Sequence, residues 1–126
     1  MERVTGIGGL FVASEDPERL GRWYAEQLGV DEPPTTYGGR SWRQEAGPTV
    51  LAPMPADTPH LRGRGWALNL RVRDLDAMVA QLRAGGTKVV VDPETYPNGR
   101  FADLLDPDGN PVQLWQPGGV DGTDAT

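Results

Sequence analysis

Short stretches in which apolar and polar residues alternate occur at corresponding places in the two halves of the chain. One runs over residues 7–12 and the other over residues 67–72. A repeat of two residues is typical of a β-strand covered on one face, because successive side chains point to opposite faces. The pattern therefore predicts one strand at the start of each half. The covered faces of the two predicted strands carry Leu10, Val12, Leu68, Leu70 and Val72.

Each predicted strand leads into a predicted helix. Asp16, followed by Pro17, and Asp74 are suited to cap helix N-termini, because a carboxylate accepts hydrogen bonds from the free N–H groups of the first turn. The helices are expected to end at Gly29 and at Gly85-Gly86, since glycine commonly terminates helices. Apolar residues at helical spacing form one face of each helix. These are Leu20, Trp23, Tyr24 and Leu28 in the first helix and Leu75, Met78, Val79 and Leu82 in the second.

Strand-like stretches separated by glycine-rich turns follow each helix. Gly39-Arg40 in the first half is echoed by Gly99-Arg100 in the second, and residues 47–51 are echoed by residues 110–114. The order of elements in each half is therefore strand, helix and about three further strands. Several echoes in the same order indicate an internal duplication.

Turn- and loop-forming prolines and glycines divide the single domain, residues 1–126, into four parts. Module one covers about 4–52 and module two about 66–117, with the Pro- and Gly-rich stretch 53–65 as a linker. Residues 118–126 are predicted to form a disordered tail, because they carry no large side chain beyond Val120.

Composition narrows the functional classes. The net charge of -6 argues against nucleic acid or an anionic membrane surface as the main partner. No apolar run approaches the roughly 20 residues of a membrane span, and the N-terminus lacks the apolar stretch of a signal peptide. A cytoplasmic location is expected.

Candidate chemistry is restricted by the absence of cysteine, which excludes disulfides, thiolate catalysis and thiolate zinc sites. The single histidine, His60, lies in the predicted linker, where a solvent-exposed role is favoured over a catalytic one. Sites that need two or three imidazoles from one chain are excluded as well.

Four motifs carry a resemblance to a known family. They are DPERLGRWYAEQLG (16–29), NLRVRDLDA (69–77), Gly99-Arg100-Phe101, and DPDGNPVQLW (106–115). With the repeated βαβββ order, the chain resembles the vicinal oxygen chelate superfamily, which includes glyoxalase I, extradiol dioxygenases and bleomycin resistance proteins. The resemblance extends from Val4 to Pro117. It implies an α+β fold of two tandem βαβββ modules, whose curled mixed sheets enclose one cavity with the helices outside.

In that fold the sheet faces opposite the helices line the cavity. Asp103 belongs to this lining if Ala102 and Leu104 face the helices. Arg71 is expected to pair with a ligand anion or with a carboxylate such as Asp103, and the second reading is slightly favoured because a bare buried charge is costly. The candidate ligand-binding residues are Phe11, Trp42, Trp66, Asn69, Arg71, Asp103, Gln113 and Trp115.

Metal enzymes of this family hold a divalent ion with His, Glu or Gln side chains on the first and last strands of each module. The corresponding positions here are Ile7, Val50, Ala67 and Gln113. Three of them are apolar, and one neutral amide is too weak a site for a hard cation. The resemblance therefore implies a member without a metal or other cofactor.

These observations favour a metal-independent protein that binds a small organic molecule, aromatic or partly apolar, and sequesters a natural product or drug in antibiotic resistance or self-protection. The alternatives are a metal-dependent lyase, isomerase or dioxygenase, a metal-free isomerase that uses Asp103 or Gln113, and a subunit that presents a pocket to a partner protein. Asp103 is the candidate catalytic residue, as a general base or as an acceptor of a ligand hydrogen bond, and a solvated position at the sheet edge is the alternative for it. The resemblance also implies a homodimer.

Overall fold

The computed structural model describes residues 1–125, so Thr126 of the predicted tail lies outside the described residues. The elements in chain order are α1 (Pro17–Leu28), β1 (Leu68–Arg71), α2 (Leu75–Ala84), β2 (Val89–Val91), β3 (Gly99–Leu105) and β4 (Pro111–Pro117). Short 3-10 helices cover Pro59–Leu61 and Gly119–Ala125. No helix within residues 1–125 has the length and apolar character that crossing a membrane requires.

Both helices begin and end at the residues that the sequence predicts. The Asp16 carboxylate accepts a hydrogen bond of 3.2 Å from the Arg19 N–H at the start of α1. Gly29 ends α1 in the left-handed conformation, with φ 72, which glycine adopts without steric cost. At the start of α2 the Asp74 carboxylate accepts a hydrogen bond of 3.0 Å from the Ala77 N–H.

The strands form one open mixed sheet in the order β1-β4-β3-β2. β1 is parallel to β4, whereas β4 pairs with β3 and β3 with β2 in antiparallel fashion. A parallel pair needs a long crossover, which α2, β2 and β3 provide here. The fold is therefore α+β, and the second half has the βαβββ order that the sequence predicts.

The hydrophobic core lies between this sheet and α2. Leu75, Val79 and Leu82 of α2 are buried against alternate residues of the strands. The first half contributes Trp23, Tyr24 and Leu28 of α1, which pack against the same core. The strand residues in the core are Val89, Ala102, Leu104, Val112 and Leu114.

The first half differs from the expectation of a second complete module. Within residues 1–58 the structure contains α1 but no strand, and the predicted strand at 7–12 makes no ladder. Ile7 and Leu10 are about half exposed, and Phe11 is 99% exposed. Alternation predicts which face of a strand is apolar, but a strand also needs a neighbour for its backbone groups, and these segments have none in the described chain.

The end of the chain also differs from the predicted disordered tail. Beyond β4, the N–H of Gly118 donates a hydrogen bond of 2.9 Å to the carbonyl oxygen of Asn98. The 3-10 helix Gly119–Ala125 follows and packs beside β4. This backbone contact to the loop before β3 is not visible in composition, which is why small residues alone suggested a tail without structure.

Candidate ligand-binding site

The face of the sheet opposite α2 forms the floor of a wide trough of about 1820 Å³. Its lining continues onto the free edge of β1 and onto the segments 42–54 and 59–62. Strand alternation decides which residues form the floor. Because Val112 and Leu114 are buried in the core, Gln113 and Trp115 lie on the opposite face.

A row of polar side chains crosses the floor. Asn69 of β1 is paired in register with Gln113 of β4, which is paired with Asp103 of β3. The Asn69 Nδ2 donates a hydrogen bond of 2.8 Å to the Gln113 Oε1. Asn69 and Asp103 are exposed and Gln113 is half-buried. The row therefore offers amide and carboxylate groups to a ligand without opening the core.

A second row, with a cation and two aromatic rings, lies beside the first. Arg71 is paired in register with Trp115, and Trp115 with Phe101. The rings of Phe101 and Trp115 are parallel within 3°, with centroids 6.4 Å apart. Tyr96 meets Phe101 edge to face with centroids 5.9 Å apart. The indole Nε1 of Trp115 donates to the Asn98 carbonyl oxygen at 2.9 Å, which fixes the ring against the sheet.

Arg71 has a different partner from the carboxylate that the sequence favoured. Its Nη2 donates a hydrogen bond of 3.0 Å to the backbone oxygen of Glu45. Among the described side chains, which end at residue 122, Arg71 forms no ion pair, and Asp103 lies two strands away in the neighbouring row. The sheet register separates Arg71 from Asp103, so the favoured pairing with a carboxylate is not found among the described side chains, and the pairing with a ligand anion stays a prediction.

The three other predicted aromatic residues, Trp42, Trp66 and Phe11, differ in whether they line the trough. Trp42 and Trp66 both line the trough, each from an irregular segment. Phe11 does not, because the segment that carries it is unpaired and exposed.

The positions of the family's metal ligands do not fit a cation here. Val50, Ala67 and Gln113 line the trough, whereas Ile7 does not. Only Gln113 has a donor oxygen, and that oxygen accepts the hydrogen bond from Asn69. Among residues 1–125 there is no group of three His, Asp or Glu side chains close enough together to hold an ion. A hard cation needs several oxygen ligands, so this donor set does not suit one.

Sequence reasoning missed Glu45, which lines the trough, and Tyr96, which packs edge to face against Phe101 of the floor. Tyr96 lies in the loop before β3, and its hydroxyl donates to the Asp92 carboxylate at 2.8 Å, which raises the pKa of Tyr96 to about 12. Glu45 acts through its backbone oxygen, which carries no sequence signal. The signal that could have indicated Tyr96 is its closeness to Gly99-Arg100-Phe101.

Comparisons with a family model and with solved structures relate the chain to known proteins. A family model described as Glyoxalase/Bleomycin resistance protein/Dioxygenase superfamily matches residues 6–114. Among curated proteins, none matches the chain.

Solved structures are similar over most of the chain. TnmS3, an antibiotic binding protein from Streptomyces sp. CB03234, has 26% sequence identity and a TM-score of 0.60, with 93% of this chain and 99% of that chain covered. A glyoxalase/bleomycin resistance protein from the same Streptomyces has 26% identity and a TM-score of 0.46, with 83% and 93% covered. A Bacillus anthracis protein assigned to the glyoxalase family has 17% identity and a TM-score of 0.53, with 91% and 99% covered, and shows the fold alone.

Proposed function

The chain belongs to the Glyoxalase/Bleomycin resistance protein/Dioxygenase superfamily, and we propose that it binds and sequesters a small, partly aromatic organic molecule, such as an antibiotic, without a metal. The observation that carries the proposal is the pairing of an aromatic row with a polar row on the open face of the sheet. Aromatic rings bind flat apolar molecules by stacking, and a few polar groups fix their orientation. The similarity to TnmS3 supports an antibiotic as the class of ligand.

Each row has its own part in this proposal. Phe101 stacks against the flat portion of the ligand and is supported from behind by the buried ring of Trp115, and Trp42 and Trp66 approach the ligand from the sides. Asn69 and Gln113 supply amide groups that exchange hydrogen bonds with the polar substituents of the ligand. The apolar side chains of Val50 and Ala67 support binding without a cation, since neither can ligate one.

We also propose that the first half folds into a βαβββ module of its own and thereby closes the trough. We propose in addition that two copies of the chain form a homodimer. The trough volume of about 1820 Å³ exceeds that of an ordinary small-molecule pocket, about 300–1,000 Å³. β1 has no partner on its outer edge within residues 1–125, and free edges invite pairing. The exposed side chains of Ile7, Leu10 and Phe11 supply apolar surface for this closure, which brings Phe11 to the site.

The alternatives receive less support from the site. A metal-dependent lyase, isomerase or dioxygenase needs a ligand set that these positions lack. A metal-free isomerase needs a general base that hydrogen bonds hold in position. The exposed Asp103 carboxylate accepts no hydrogen bond from the described side chains and backbone of residues 1–122. The proposed role in self-protection is cytoplasmic, where a sequestered drug would otherwise reach its target.

The test is a thermal-shift screen of flat polycyclic antibiotics on protein treated with EDTA. A ligand of the folded state raises Tm with the logarithm of its concentration over Kd, so the expected result is a concentration-dependent rise that EDTA leaves unchanged. Phe101→Ala should reduce the rise, whereas Tyr37→Ala, at an exposed aromatic residue outside the trough, should not. Stoichiometric zinc, nickel, manganese or iron in protein purified without chelator, with binding lost in EDTA, would refute the metal-independent role.

A further inference from the structure

An arginine without an acidic partner lies in the floor of the trough. Arg71 is half-buried, and its guanidinium makes one hydrogen bond to the part of the chain whose side chains are described (residues 1–122), to the backbone oxygen of Glu45. A guanidinium carries about five N–H donors and is permanently charged. The other donors make no hydrogen bond to the described residues, and Arg71 lines the trough on the strand beside its register partner Trp115.

The backbone at Gly47 makes room for this guanidinium. A Cβ at position 47 would lie 1.7 Å from the Arg71 Nη1 and 2.8 Å from its Cζ. Any side chain there would displace the head of the arginine. Arg71 is thus held from one side by the Glu45 oxygen and from another by the bare backbone of Gly47, while its charge is left without a carboxylate.

The nearby carboxylates do not neutralise Arg71. The Glu45 carboxylate is ion-paired with Arg73, and Asp103 lies in the other row on β3. The lining is locally positive although the chain as a whole has a net charge of -6. Among the described residues the lining contains four arginines (Arg43, Arg62, Arg71 and Arg73) and three acidic residues (Glu45, Asp103 and Asp121).

We propose that Arg71 binds an oxyanion of the ligand, so that the ligand is an aromatic acid, with a carboxylate, sulfonate or ionised phenol attached to its ring system. The inference rests on the proposed function and narrows its ligand class. A charge in a half-buried place costs free energy unless it is paired, and a planar guanidinium pairs with an oxyanion through two parallel hydrogen bonds. The ring of Phe101, which lies parallel to the buried ring of Trp115, receives the aromatic part attached to that oxyanion.

The test compares two fluorescent probes with the same rings. Anilinonaphthalene sulfonate carries an oxyanion, and phenylnaphthylamine is its uncharged parent. Fluorescence titrations give Kd for both probes with the wild-type chain, Arg71→Gln, Arg71→Lys and Gly47→Ala. Arg22→Gln is the matched control, because it removes the same charge from an exposed position of α1 outside the trough. Circular dichroism establishes that each variant is folded.

The expected result is that Arg71→Gln weakens sulfonate binding at least about tenfold and leaves binding of the uncharged probe unchanged. Arg71→Lys should restore part of the affinity. Gly47→Ala should weaken sulfonate binding although the arginine is retained, which keeps the test valid if Arg71→Gln does not fold. Arg22→Gln should change neither affinity.

Two contrary results are distinguishable. In the first, both probes bind the wild-type chain, and Arg71→Gln and Gly47→Ala weaken the binding of the two probes equally or not at all. The role of Arg71 is then refuted and the proposed function stands. If neither probe binds the wild-type chain, this inference is refuted, and the absence of any antibiotic in the thermal-shift screen would then refute the proposed function separately.

Discussion

The hydroxyl group of Tyr24 in α1 donates a hydrogen bond of 2.7 Å to the Oδ2 of Asp106, 82 positions later in the chain. Asp106 begins the turn between β3 and β4 and is 4% exposed. Its Oδ1 accepts hydrogen bonds of 2.9 Å from the backbone N–H groups of Asp108 and Asn110. One buried carboxylate therefore joins the helix of the first half to the last hairpin of the second half.

Tyr24→Phe should lower the free energy of unfolding by about 1–3 kcal/mol, because it leaves a buried carboxylate with one donor fewer. Urea denaturation measures the change. Tyr96→Phe is the control, since it removes the same kind of bond, to Asp92, from an exposed position. The control should change stability by no more than about 0.5 kcal/mol. Equal effects of the two substitutions would contradict the anchoring role of Asp106.

The same contact predicts how stability changes in alkali. Burial and the hydrogen bond to Asp106 raise the pKa of Tyr24 far above its ordinary value of 10.0. The folded state then holds the phenolic proton more tightly than the unfolded state, so stability is fully present below pH 10 and is lost as the pH rises further. Denaturation between pH 9 and 11 should show a steeper loss for the wild-type chain than for Tyr24→Phe. The same pH dependence of stability in the wild-type chain and in Tyr24→Phe would contradict the prediction.

Neighbouring residues of β4 should separate binding from stability. Leu114 is fully buried in the core, so Leu114→Ala should cost about 2–5 kcal/mol of unfolding free energy and leave the trough floor intact. Gln113→Leu should weaken ligand binding by about 1–3 kcal/mol with little effect on stability, because a polar partner is lost from the floor. Calorimetric titration and urea denaturation measure the two effects. The reverse pattern would mean that the assigned faces of β4 are exchanged.

The second half could be predicted almost completely because its signals are local. Asp74 and Gly85 bound α2, and the alternation of Val112 and Leu114 with Gln113 gives the faces of β4. The contact of Arg71 with the Glu45 oxygen could not be predicted, because any residue supplies a backbone oxygen and only the three-dimensional path of the segment decides which one comes close.

Glycine substitutions at two positions should have opposite effects. Gly99 has φ 130, and a Cβ there would lie 2.1 Å from the Gln116 backbone oxygen, so Gly99→Ala should destabilise the protein by about 1–3 kcal/mol. Gly21 lies in α1 with open space around the place of a Cβ, so Gly21→Ala should stabilise by about 0.5–1 kcal/mol. Thermal denaturation of both variants is the measurement, and a loss at Gly21 would contradict the expected gain in helix propensity.

The proposed homodimer predicts a sedimentation mass twice the 13.6 kDa of one chain at micromolar concentration. Phe11→Ser should shift the equilibrium towards monomer, because it removes an exposed aromatic side chain that the closure would bury. Tyr37→Ser, at another fully exposed aromatic residue, is the control and tests whether any surface ring has this effect. A wild-type monomer at the same concentration would contradict the dimer.

The first half shows where prediction from sequence fails. Its helix was predicted from Asp16, Pro17 and Gly29, which act within a few residues of one another. The strand expected at 7–12 depends on a neighbouring strand, and alternation carries no information about which segment, or which copy of the chain, provides that neighbour. The predicted position of Phe11 in the cavity lining therefore stays a prediction, because the segment that carries it forms no strand here.

The parallel pairing of β1 with β4 has a consequence for the order in which the chain folds. β3 and β4 are joined by the short turn 106–110, and we expect them to pair early, since little chain entropy is lost in closing a short loop. Asn69 and Gln113 are 44 positions apart, so β1 docks later, after the crossover has formed. Arg71 reaches Trp115 only in that step. We therefore expect the capacity to bind to be acquired late, when β1 docks on β4.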